Sequence, residues 1–151
     1  MRDFVLVMAY RESKDKFLLI EKNRPEFQKG RYNLIGGKVE RGETYTDAAI
    51  RELEEESGIL TDNIEFNGII FGSWGVIECF STNIRDSKIN QPENETELVF
   101  DTTWEDVRED NKLMPNLKVV IPLMMAGSKN WRICCEGDTE SAGLHKIFIV
   151  T

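Results

Sequence analysis

Glu43, Glu52, Glu54, Glu55 and Glu56 crowd the segment GGKVERGETYTDAAIRELEEESGI, from Gly36 to Ile59, and Arg51 alone offsets them within its helical part. Like charges at i,i+4 on a helix cost roughly 0.2–0.5 kcal/mol per pair, so stability alone disfavours such a run. A cationic ligand is expected there. At 3.6 residues per turn Glu52, Glu55 and Glu56 stand at i, i+3 and i+4 on one helix face, while Ala49 and Leu53 turn toward a core. Carboxylates aimed at one spot suit a hard divalent cation, Mg²⁺ or Mn²⁺, of the kind that proteins hold jointly with substrate phosphates. No His or Cys accompanies the cluster, which disfavours zinc. For an arbitrary Glu-rich helix the plainer reading is a solvated acidic face.

The elements that must position this helix are short. Phe4–Tyr10 and Lys16–Lys22 are apolar or alternating runs around RESKD and predict a hairpin. Arg31–Val39 is extended up to a Gly-Gly break. Thr44 or a neighbour caps the helix, Tyr45, Ala48, Ala49 and Leu53 form its apolar side, and Gly58 stops it with Ile59 as the accompanying apolar contact. Ile64–Gly72 and Trp74–Thr82 predict two strands, and the polar stretch Asn83–Glu97 a long connection. Leu98–Thr103 reads as a strand and Trp104–Asp110 as a helical turn. Asn116–Ala126 reads as a helix that Pro122 should break or kink. Trp131–Glu136 and His145–Val150 finish as strands. This grouping predicts a mixed sheet with helices packed on its faces, an α/β (α+β) fold.

With 151 residues, one domain spanning 1–151 is expected, and it buries a core without staples. An apolar fraction of 40% with 30% charged residues is that of a soluble protein, and no run reaches the ~20 apolar residues of a membrane helix. FVLVMAY ends too early and lacks a cleavage site for a signal peptide. Net charge −8 argues against strong nucleic-acid binding, and a polyanionic small ligand would need metal ions as mediators. Cys79, Cys134 and Cys135 have neither metal nor disulfide spacing and are expected as core thiols in a reducing compartment, the cytoplasm. His145 is expected as a strand residue near a sheet end.

Spacing decides how the acidic helix is read. Gly37, five residues, Glu43, seven residues, Arg51-Glu52, Leu53, one residue, Glu55-Glu56, one residue, Gly58 and Ile59 reproduce the Nudix box without a departure. Chance places this pattern in such a chain on the order of once in a million. The chain therefore resembles the Nudix hydrolases, which cleave nucleoside diphosphate-linked compounds by metal-assisted attack of water at phosphorus.

The resemblance implies a Nudix-type α/β/α sandwich with a mixed β-sheet. It implies Glu52, Glu55 and Glu56 as catalytic metal ligands, the Gly36 carbonyl as a further ligand, Glu52 as first candidate for the base, and Arg51 paired with Glu43. Gly37 and Gly58 support the box, and Glu54 is its variable, solvated position. An extra acidic ligand outside the box falls on ENETEL, at Glu97 or Glu95; if extended, Glu93, Glu95 and Glu97 lie on one side, and an exposed acidic loop is the alternative.

GRYNLIGGK (Gly30–Lys38) is similar to the MutT-like branch, which hydrolyses oxidised purine nucleoside triphosphates. There an Asn at the position of Asn33 hydrogen-bonds the base, and aromatics at Phe27 and Phe71 line the pocket; a turn-supporting amide and ordinary packing are the alternatives. Asn116, in Met114-Pro115-Asn116-Leu117, stands where relatives read the base, although the acidic pair of the animal-type enzymes is missing. The partner implied is a nucleotide, acted on by a monomer or homodimer. The alternatives are a hydrolase of dinucleoside polyphosphates, nucleotide sugars or capped RNA, and a non-catalytic nucleotide-sensing module; such modules commonly lose box glutamates that this chain retains.

Overall fold

The apolar run FVLVMAY sits inside the central strand of the sheet in this computed structural model, which describes residues 2–91, 97–136 and 146–150. Strand β1 (Arg2–Arg11) runs parallel to β6 (Gly75–Asn83) on one side and antiparallel to β4 (Ile35–Lys38) and the start of β2 (Ser13–Glu21) on the other. Strands β3 (Tyr32–Asn33), β5 (Glu65–Gly72), β7 (Leu98–Thr103), β8 (Trp131–Glu136) and β9 (Lys146–Val150) join them. Among the described residues the sheet order is β3-β2-β1-β6-β5-β8-β9, with β4 added to β1 and β7 to β2. It is mixed, as expected.

Both faces of β1 are covered, which is why its sequence is apolar without alternation. Val5 and Val7 pack on Ala48 and Ala49 of α1 (Tyr45–Ser57), and Leu18 and Ile20 of β2 pack on Leu53 of the same helix. The opposite face presents Leu6, Met8, Phe17 and Leu19 to Leu117, Val120, Ile121 and Met124 of α3 (Leu117–Met125). Helix, sheet and helix form the expected α/β/α sandwich.

Helix α1 begins and ends where its sequence says. The Asp47 N–H donates to Thr44 Oγ1 at 3.0 Å, and Gly58 takes the left-handed conformation (φ 74°) with its N–H donated to Glu54 O at 2.8 Å. The short α2 (Trp104–Val107) is capped likewise by Thr103 Oγ1, which accepts from Asp106 N–H at 3.2 Å.

Two expectations need correction. The expected hairpin forms, but RESKD is almost all strand: β1 continues through Arg11 and β2 starts at Ser13, leaving Glu12 at φ 51° as the turn. Helix α3 runs through Pro122 without ending. The missing proline N–H deprives the Lys118 carbonyl of its helical partner, but Lys118 is exposed, while four buried apolar side chains hold the helix to the sheet. Cys79 and Cys135 are buried free thiols, as read, whereas Cys134, its side chain on the other face of the strand, is only half-buried. No helix among the described residues is long and apolar enough to cross a membrane. Glu93, Glu95 and His145 lie outside the described residues.

Gly42 and Gly58 separate two costs. Gly42 has φ 83° and open space around it, whereas a Cβ on Gly58 meets Asn90 Cβ at 2.8 Å, and Asn90 is anchored by its N–H to Ser57 O at 2.8 Å. Gly42→Ala is expected to lose about 1 kcal/mol, the left-handed penalty alone, and Gly58→Ala about 2 kcal/mol or more, read from urea denaturation midpoints. Equal losses would mean that Asn90 gives way freely.

Candidate active site

Strand β4 and helix α1 meet at Gly36-Gly37. A Cβ on Gly37 would run into the Glu52 carboxylate, and one on Gly36 into the Val5 carbonyl, so only glycine lets the strand pass beneath Glu52. The loop between strand and helix is tied down by Arg51. Its Nε and Nη2 donate to the two oxygens of Glu43 at 2.7 and 3.0 Å, and Nη2 also donates to the Lys38 carbonyl at 3.0 Å. Nη1 reaches Glu52 Oε1 at 2.9 Å and Glu55 Oε2 at 3.2 Å. The Arg51 hydrogen bond holds the Glu43 carboxyl below its usual range.

Behind this fork lies a buried acid cluster. Burial pushes the Glu56 carboxyl up to about 8; Glu52 and Glu97 add repulsion, and Lys22 opposes them. Burial raises Glu52 too, against the pull of Arg51. Glu97 is only 8% exposed, and Lys22 Nζ lies 3.1 Å from its Oε2 as an ion pair whose alignment is not that of a hydrogen bond. Glu56 Oε2 and Glu97 Oε2 are therefore both buried without a hydrogen-bond partner. Glu55 differs, with its side chain 57% exposed and turned to Arg51. Lys22 is the residue that sequence reading missed; a lysine at the end of a core strand has no spacing to mark it.

Among the described residues no three His, Cys, Asp or Glu side chains close into a metal cage. Bare carboxylates repel, so Glu52 and Glu55 turn to Arg51, and Glu97 to Lys22. The donor chemistry nevertheless fits a divalent cation: an all-oxygen set, two orphaned buried oxygens, and a glycine pair that leaves Glu52 room.

The amides occupy the other end of β4. Asn33 Oδ1 accepts the Leu34 N–H at 2.8 Å and its Nδ2 donates to Gln28 Oε1 at 3.3 Å, so half its hydrogen-bonding capacity is spent on its own turn. Asn116 begins α3 with no capping bond and a buried, unpartnered Oδ1. The two segments are tied together by Tyr32, whose N–H donates to Lys112 O at 2.8 Å and whose carbonyl accepts from Met114 N–H at 2.9 Å. Phe27 is half-buried on the 3-10 turn Glu26–Gln28, and Phe71 is half-buried on β5 opposite Val76 and Cys134.

A family model described as the NUDIX domain matches residues 2–122. The chain belongs to the Nudix family. An uncharacterized Nudix hydrolase, YvcI, from Bacillus subtilis (strain 168) is 30% identical over 128 residues, 77% of this chain and 75% of that protein. The oxidized purine nucleoside triphosphate hydrolase of Mus musculus is 45% identical over 53 residues, 35% of this chain but only 34% of the mouse protein. The crystal structure of the mutator MutT protein from Bacillus halodurans superposes with a TM-score of 0.77 at 19% identity, covering 99% of this chain and 97% of that one, a likeness of fold. The family match identifies a Nudix hydrolase domain, of a pyrophosphohydrolase family that acts on nucleotides and generally uses a divalent metal.

The acid cluster has a pH signature. Glu56 binds its proton more tightly folded, near pH 8, than unfolded, near 4.5, so its contribution to stability is full below about pH 4.5 and is lost as pH rises toward 8. The metal-free Nudix protein with Glu56→Gln is expected to match wild type near pH 5 and to exceed it by on the order of 1–3 kcal/mol at pH 8. Denaturant titrations at the two pH values check this, and a difference that does not grow with pH would place the raised acid elsewhere.

Proposed function

We propose that this Nudix hydrolase is a MutT-like nucleoside triphosphate pyrophosphatase, converting purine or oxidised purine nucleoside triphosphates to the monophosphate and pyrophosphate. The observation that carries the nucleotide reading is the pairing of two amide-bearing segments, Asn33 and Asn116, through Tyr32, with Asn116 Oδ1 left buried and unpartnered. An amide offers donor and acceptor together, which suits a purine edge. Phe27 supplies the adjoining aromatic surface.

Glu52, Glu55, Glu56 and Glu97, with the Gly36 carbonyl, would hold Mg²⁺ or Mn²⁺. Bound there, the divalent cation neutralises phosphate oxygens and acidifies water. Arg51 occupies Oε1 of Glu52, which leaves Oε2 to take the proton of the attacking water. That water forms the new bond at one phosphorus of the α–β bridge, and the bridging oxygen leaves with the other, giving the monophosphate and pyrophosphate. Arg51 and Glu43 fix the loop so that Gly36-Gly37 stays against the helix. The free thiols suit a reducing, cytoplasmic setting, in which the domain would work as monomer or homodimer.

Release of pyrophosphate versus phosphate across a nucleotide panel with Mg²⁺ tests the reading. Turnover of a nucleotide sugar or dinucleoside polyphosphate far above any canonical or oxidised triphosphate would move the enzyme to another substrate class. Glu55→Gln and Glu56→Gln are expected to abolish hydrolysis while the fold persists, and near wild-type turnover in either would remove it from the ligand set.

The amides act differently. Asn33→Ala or Asn116→Ala deletes a buried hydrogen bond worth about 1–3 kcal/mol, roughly a tenfold to hundredfold loss in kcat/KM. The loss should depend on the base, measured with guanine, adenine, 8-oxoguanine and pyrimidine triphosphates. Equal losses on all four would assign these residues to the fold.

A further inference from the structure

We propose that Gln91 is a positioning residue for the reaction: its side-chain amide, bonded to both backbone groups of Val99, fixes Glu97 beside Glu56 so that the two carboxylates meet on one divalent cation. The proposal rests on the hydrolase reading above, in which Glu56 and Glu97 are ligands, and extends it to a residue outside the box.

Glu97 needs an anchor that the sheet does not supply. Strand β7 joins β2 with Leu98 opposite Glu21, so Glu97 lies one residue before the ladder begins. The side chain of Leu98 is half exposed and gives a weak hold, and the ion pair of Glu97 with Lys22 is not aligned as a hydrogen bond. Among the described residues no strand pairs with the outer edge of β7. Gln91 takes that place. Its Nε2 donates to Val99 O at 2.7 Å, and its Oε1 accepts the Val99 N–H at 3.0 Å. A side-chain amide carries the donor and acceptor of a peptide group, so one residue here does what a neighbouring strand would.

The other end of the bridge rests on α1. The Asn90 N–H donates at 2.8 Å to the carbonyl of Ser57, the residue after Glu56, and Asn90 lies so close to Gly58 that a Cβ there would meet it. Ile89 packs on the core that Leu53 and Val99 share, and farther back Arg11 Nη1 donates to the Arg85 and Ser87 carbonyls. Asn90-Gln91 therefore spans from the end of α1 to the start of β7, with Glu56 one residue from its first contact and Glu97 two residues from its second. The acids it joins are neighbours: Glu97 adds to the rise of the Glu56 carboxyl, and neither Oε2 has a hydrogen-bond partner. Carboxylates that repel drift apart unless the backbone holds them, and Mg²⁺ demands near-ideal ligand geometry, so a fixed separation favours its binding.

Calorimetric titration of the metal-free protein with Mn²⁺ reads the positioning. Gln91→Ala is expected to weaken binding about threefold to tenfold, less than the loss of a partner that touches a ligand directly, because Gln91 acts through the backbone. Gln91→Met keeps the volume without the two hydrogen bonds and should match it. With a purine nucleoside triphosphate at saturating Mg²⁺ the nucleotide KM should change less than about twofold, while the Mg²⁺ needed for half-maximal rate rises with the calorimetric loss. Ile133→Val, a buried change on β8 far across the sheet from β7, is the comparison for stability: it should lower the melting temperature and leave Mn²⁺ binding unchanged. Wild-type Mn²⁺ affinity in the Gln91 variants, or an equal loss in Ile133→Val, overturns the positioning role and leaves the hydrolase reading standing. Glu97→Gln separates the two readings. If it binds Mn²⁺ as wild type does, Glu97 is no ligand and the proposal falls with that assignment. If it weakens binding and the wild-type protein turns over no triphosphate, the substrate reading fails alone and the calorimetric comparison still decides the bridge. Should Gln91→Ala not fold, Gln91→Met carries the comparison.

Discussion

Arg51 holds the site together. A guanidinium has five N–H donors, and here they meet five acceptors: the two oxygens of Glu43, one each of Glu52 and Glu55, and the Lys38 carbonyl. A lysine ammonium offers three donors from one point and could not span strand, loop and helix together. With the side chain only 22% exposed, the bonds to Glu43 and Glu52 are partly shielded from water, and the loop cannot leave the helix without breaking them. The glycine pair follows from this: once the loop is drawn in, β4 runs so close beneath Glu52 that no Cβ fits at Gly37.

What the sequence made legible is what its local spacing encodes. The helix and its Thr44 and Gly58 ends fall within one short segment whose periodicity and turn residues act over a few positions; the Arg51–Glu43 bond was given by the resemblance, and the expected Gly-Gly break is absent because β4 runs through both glycines to Lys38. The mixed sheet with helices on its faces followed from strands grouped before and after the helices. Lys22 and Glu97 were not legible as a pair, because the sheet brings together the end of β2 and the approach to β7, a strand far along the chain that pairs with β2 from Lys16 to Glu21. Asn116 was located by likeness alone; its junction with Asn33 is made by backbone bonds of Tyr32, which carry no side-chain signature. Pro122 misled for a third reason. Local propensity argued for a break, and the burial of Leu117, Val120, Ile121 and Met124 outweighed it.

The acid cluster shows why a protein tolerates a segment that its own folding disfavours. Glu52, Glu56 and Glu97 sit in a region where desolvation makes each charge costly and each neighbour unwelcome, with Lys22 and Arg51 the cations that relieve them. Two point cations cannot satisfy every oxygen, and the buried, unpartnered atoms of Glu56 and Glu97 are the remainder. A group that binds the folded state only, and binds it through deprotonated carboxylates, recovers that deficit: the free energy of binding adds to stability by mass action, and the proton held by Glu56 is released in exchange. The strain is therefore confined to the place where a ligand can remove it. Around it the fold keeps its cores apolar, and Arg51 ties Glu43, Glu52 and Glu55 to one point.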